Sequence, residues 1–117
     1  MPRQTDLTAE ELIEICQPQI QGDTACDCCC HDRPICFYLN EIGQVALSDG
    51  NRQAQKFLIG LLRHANDEWR FIAFFYLLQI SDDALEPGDA IALSAQKKTP
   101  ENTPLVRMAL SRIYRQN

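Results

Sequence analysis

The sequence predicts an all-α fold: about five or six short helices in one domain spanning residues 1–117. Three observations carry that expectation. Apolar residues recur at the i, i+3, i+4 spacing of one helix face in successive windows. Capping chemistry stands ahead of several of those windows, with Thr8, Asn66 and Thr103 as the leading residues. The chain also matches itself: Phe37-Tyr38-Leu39-Asn40-Glu41-Ile42 aligns with Phe75-Tyr76-Leu77-Leu78-Gln79-Ile80 at an offset of 38, and Met108-Ala109-Leu110-Ser111-Arg112-Ile113 follows at 33. A period in that range is the mark of stacked helical hairpins, none of which can bury its apolar face alone.

The first helix starts at Thr8, whose hydroxyl can cap the amide of Glu11 while Glu11 reaches back and Leu7 packs on Leu12. It should run to about Gln17, where Pro18 ends it, with Leu12 and Cys16 on one face. Residues 18–33 then form a long irregular stretch. A second helix begins near Pro34, buries Leu39, Ile42, Val45 and Ala46, and breaks at Asp49-Gly50-Asn51. The third, over residues 51–64, turns Ala54, Leu58, Leu61, Leu62 and Ala65 inward.

Asn66-Asp67-Glu68 opens a fourth helix that reaches about Ile80. From Trp69 to Leu78 it is apolar almost all round, so it is expected to lie between neighbours, its aromatics serving as core. A buried strand could give the same run, but the cap and the length favour a helix. Pro87-Gly88 interrupts what Asp83 and Glu86 would otherwise cap, so a turn is expected, with a restart from Asp89 to Lys97. The last helix opens at Thr103-Pro104 and places Val106, Ala109, Leu110 and Ile113 in a core stripe.

Composition narrows the function classes. Apolar residues make up 45% and charged ones 23%, a folding chain and not a disordered one. The longest apolar run, Phe71 to Leu78, is eight residues, against the roughly 20 that a membrane helix needs. With no secretory leader at Met1-Pro2-Arg3, a cytoplasmic protein that avoids membranes is expected. The net charge of -5 divides into nine acids against two bases in residues 1–50 and seven against nine in 51–117. Nucleic acid is not an expected partner, because no basic face gathers; Arg107, Arg112 and Arg115 read as a solvated helix surface. No phosphate loop or Gly-x-Ser-x-Gly is present, and Glu10-Glu11 and Asp82-Asp83 read as helix starts. Enzyme activity would have to run through the cysteines, and a binding role is the better expectation.

Asp67-Glu68-Trp69-Arg70-Phe71-Ile72-Ala73 resembles the first helix of a HEAT repeat, in which an aspartate, an apolar residue with arginine, and an alanine three residues later recur. Leu105-Val106-Arg107-Met108-Ala109 is similar, with the alanine one position early, whereas residues 34–48 lack the arginine-alanine pair. The resemblance covers residues 34–116. It implies a right-handed α-α superhelix of the HEAT or armadillo-like kind over 34–117, with residues 1–33 supplying a capping helix and a Cys-rich loop. It also implies a scaffold that acts by contact with a protein partner.

The chemistry of the chain is concentrated between residues 26 and 36, which hold five of its six cysteines and one of its two histidines. Cys26, Cys28, Cys29, Cys30, His31 and Cys36 are the candidate metal ligands, with Cys16 able to approach from the first helix. Tetrahedral zinc takes four such groups, and Cys26, Cys28 or Cys29, His31 and Cys36 are the expected set. The spacing matches no standard zinc knuckle, so an iron-sulfur cluster or copper stands as an alternative, as does a redox role or a disulfide. Cys36 falls in a helical first turn, where the dipole is expected to favour a thiolate. Cys16 and Cys36 also fit core stripes as small hydrophobes. His64, at the end of the third helix, reads as a surface residue.

Overall fold

Thr8 and Glu11 form the reciprocal pair that their spacing predicts. The Glu11 amide donates to Thr8 Oγ1 at 3.2 Å and the Thr8 amide donates to Glu11 Oε1 at 2.9 Å. The Thr8 amide, and after it the Thr8 hydroxyl, hold the Glu11 carboxyl below its usual range, and the reciprocal pair opens the first of six α-helices in a computed structural model that describes residues 4–20 and 34–116. The helices are α1 (Ala9–Ile20), α2 (Ile35–Ser48), α3 (Arg52–Leu61), α4 (Asp67–Leu77), α5 (Pro87–Lys97) and α6 (Thr103–Gln116), with a single 3-10 turn at Asp82–Ala84. No strand occurs among the described residues, and none of their helices is long and apolar enough to cross a membrane.

Four boundaries differ from expectation, among them the end of α4, which stops at Leu77 and not near Ile80. Pro18 lies inside α1, which continues to Ile20; in the last turn its missing N–H forfeits one helical bond without stopping the chain. Pro87 is itself at the head of α5, so the helix starts two residues before Asp89. α3 stops at Leu61 and leaves Ala65 exposed in the turn. Elsewhere the local chemistry works as read. Asn51 and Asn66 side chains accept from the amides of Ala54 and Trp69, capping α3 and α4. Gly50 takes φ 64° after α2, a backbone conformation open to glycine.

The helices pack in two rows. α2 lies against α4 and α4 against α6, while α1 lies against α3 and α3 against α5; the α1–α2 and α3–α4 pairs join the rows as hairpins. The last pair departs from that plan, because α6 leans on α4 and barely touches α5. Leu12, Leu39, Ile42, Leu58, Phe74 and Leu77 are fully buried between the rows, each such side chain stabilising the fold by about 1.5–3 kcal/mol. The internal repeat has a structural meaning: Tyr38 with Tyr76 and Leu39 with Leu77 are buried equivalents on α2 and α4.

α6 is the exception in burial as well. Of its expected stripe only Ala109 is buried; Val106, Leu110 and Ile113 are half-buried, and Met108 is 54% exposed. An alanine lets two helices approach, but the larger side chains beside it then splay outward. α4 is correspondingly half-open on that side, with Phe71 and Phe75 incompletely covered.

Candidate functional site

Cys16 is on the buried face of α1 and Cys36 in the first turn of α2. They are close enough for charge on one to raise the other, and burial with that neighbour pushes the Cys16 thiol up to about 12. Cys36 donates its S–H to Glu68 Oε1 of α4 at 3.2 Å. Burial, then the Glu68 hydrogen bond and charge, push Cys36 up to about 11, and a bond with Trp69 opposes this without cancelling it. The expectation that the helix dipole would favour a Cys36 thiolate is therefore corrected: burial, joined by a carboxylate in contact, outweighs a partial charge on the axis.

Of the six expected metal ligands only Cys36 is described. Cys26, Cys28, Cys29, Cys30 and His31 lie outside the described residues. Among the described residues no three His, Cys, Asp or Glu side chains are grouped to hold a metal ion.

His64 is not the free surface residue that its position suggested. Its Nδ1 accepts from the Asn66 amide at 3.0 Å, which leaves Nε2 as the protonated nitrogen facing the carbonyl of Ile20, also at 3.0 Å. Its ring lies 4.6 Å from that of Trp69. Arg70 completes this turn, donating to the His64 carbonyl at 2.7 Å and to Asp67 at 2.6 Å. The aspartate and arginine of the repeat-like motif thus meet within one turn, and the end of α1 is fastened to the start of α4.

A groove of about 490 Å³ opens beside Cys36, between α4 and α6 with α2 at one edge. Phe71, Ile72, Phe75, Leu105 and Met108 form its apolar surface. Asn40 lines it too, accepting from the Tyr76 hydroxyl at 2.9 Å and donating to the Cys36 carbonyl at 2.8 Å. Two charges at its lips lack an opposite partner among the described residues: Glu68, bonded to a neutral thiol, and Arg112, whose guanidinium stands 5.2 Å from the centre of the Phe71 ring. Asp67, by contrast, is paired with Arg70.

The chain matches no protein-family model, no curated protein and no solved structure. The site therefore rests on its own geometry.

Sequence reasoning missed Glu68, Asn40 and Arg112. Glu68 lies 32 residues from the thiol it contacts, a separation with no local signature. Asn40 had one, since it follows Cys36 by four residues and so shares its helix face. The buried Glu41 was missed as well; it accepts from the amides of Gln4 and Thr5 and from the Thr5 hydroxyl, fastening the N-terminal strand of chain to α2.

Proposed function

We propose that the chain is a small HEAT-like helical interaction module, in which Cys26, Cys28 or Cys29, His31 and Cys36 bind a soft metal ion, zinc foremost, that joins α1 to the rest of the domain. The observation that carries this reading is the pair of contacts at the start of α4: Ile20 binds His64 on one side of residues 21–33, and Cys36 binds Glu68 on the other. Both ends of the Cys-rich segment are thereby held at one place on the helical body. A clasp needs such fixed ends, because a ligand set on free ends would pay the ordering entropy again.

Cys36 fits the role of ligand. Its thiol is half-buried, is fixed in place by its hydrogen bond to Glu68, and follows Arg33 by three residues. Zinc supplies no redox chemistry, and the role is structural. The alternative of a redox or metal-handling protein acting through the Cys26–Cys36 cluster asks for a low-pKa thiol, and Cys36, pushed upward, does not supply it. The α4–α6 groove and the two helical rows support a protein partner.

The experiment is elemental analysis of anaerobically purified protein, followed by amide exchange before and after chelation. Bound zinc is expected, with its removal accelerating exchange from residue 21 to Cys36 while α2 to α6 stay helical. Protein free of metal, or exchange in that segment unmoved by chelation, would overturn the reading.

A further inference from the structure

The geometry points to an amphipathic helix of a partner protein, carrying a Lys or Arg beside its apolar stripe, as the occupant of the α4–α6 groove. The inference rests on the interaction-module reading and adds the place and the chemistry of the contact. Two features of the groove argue for it. First, the space lies between two packed helices, with Ala109 of α6 fully buried and the larger Leu105 and Met108 left incompletely covered at the groove. Such a gap is matched by a third helix, whose ridge of side chains at i and i+4 enters the space between the first two. At about 490 Å³ it holds apolar side chains and not a mere water file, and Met108, exposed by 54%, offers an adaptable surface.

The second feature is charge. Glu68 at one lip has no cation among the described residues, and Arg112 has only the Phe71 ring. An occupant with a basic residue next to its apolar stripe answers Glu68, while Arg112 stays over the Phe71 ring. A bare hydrocarbon chain answers neither charge. A nucleic acid backbone would meet the unpaired Glu68 with like charge. Aromatic floor, flexible methionine and a charged lip are the components of helix-in-groove recognition.

The probes are two synthetic amphipathic peptides about four turns long, identical in a leucine stripe, one with lysines flanking the stripe and the other with glutamates. Each is titrated into the full-length chain, with binding followed by fluorescence anisotropy and mapped by amide chemical shifts. The lysine peptide is expected to bind at least about tenfold more tightly, with shifts gathered at Phe71, Phe75 and Met108. Met108→Glu, at an exposed position that leaves the fold intact by circular dichroism, should abolish that binding, and Glu68→Gln should bring the two peptides together.

Equal binding of both peptides to the unsubstituted chain would overturn the inference, as would shifts centred on the separate hollow around Arg63 and Arg70. So would a concentration-dependent dimer lost in Met108→Glu, which would assign the groove to a second copy. Zinc content of the same samples keeps the two ideas apart: metal-loaded protein that binds neither peptide refutes the groove alone, and metal-free protein that binds the lysine peptide refutes the clasp alone.

Discussion

Gly43 of α2 lies against the aromatic ring of Tyr76 of α4, so close that a methyl group at position 43 would overlap the ring carbons. The ring cannot easily retreat, because Tyr76 is 5% exposed and its hydroxyl is bonded to Asn40. Gly43→Ala should therefore destabilise the fold by about 1–3 kcal/mol from overpacking, less the roughly 1 kcal/mol that alanine gains in a helix. In a Tyr76→Leu background the same substitution should become neutral or stabilising. Urea denaturation of the four-member cycle measures the coupling; additive effects would show that the ring moves freely.

Cys16 gives the fold an alkaline limit. Its folded pKa, about 12, is above the ordinary 9.0, so the unfolded chain releases its proton first. The stability contribution is complete below pH 9.0 and is lost as pH rises toward about 12, at no more than about 1.4 kcal/mol per pH unit. Cys16→Ala will be less stable at neutral pH because it leaves space in the core. Its deficit relative to the native chain should shrink as pH climbs through that window in pH-dependent denaturation. A constant deficit would show that Cys16 ionises normally.

What was legible in the sequence was local. Thr8 with Glu11 and the two asparagine caps were readable because both partners fall within one turn, where spacing alone fixes the geometry. Periodicity gave the inward face of α6 correctly in direction, but it cannot say how fully Val106 or Leu110 is covered, and both are only half-buried. Pro18 misled because helix termination depends on what holds the following residues, and His64 holds Ile20 from 44 positions away. Candidate metal ligands could be named by residue type, yet the fact that changes the chemistry of Cys36 is a carboxylate from another helix.

That carboxylate adds to burial in raising the Cys36 thiol. With Cys26, Cys28, Cys29 and Cys30 replaced by serine, Cys36 and the buried Cys16 are the remaining thiols. Glu68→Gln removes the charge that helps raise Cys36 and leaves at most a hydrogen bond to a neutral amide. Alkylation of Cys36 by iodoacetamide near neutral pH should then accelerate, by about tenfold for each unit by which its pKa falls. The rate is read by mass spectrometry of the labelled peptide, and an unchanged rate would leave burial as the sole cause.

His64 is the joint on which the Cys-rich segment's first end depends. In His64→Phe the ring can still stack on Trp69, but the Asn66 amide and the Ile20 carbonyl lose their partner. Leaving part-buried backbone groups unpaired should cost about 1–3 kcal/mol. The loss should also be local, because the bonds of α5 and α6 do not involve this turn. Amide exchange is therefore expected to quicken in the last turn of α1, up to Ile20, and in the α3–α4 turn, while Leu93 and Ala109 keep their protection. If the last turn of α1 exchanges at its original rate in this variant, His64 does not hold that end, and the fixed anchorage argued for the metal clasp loses one of its two supports.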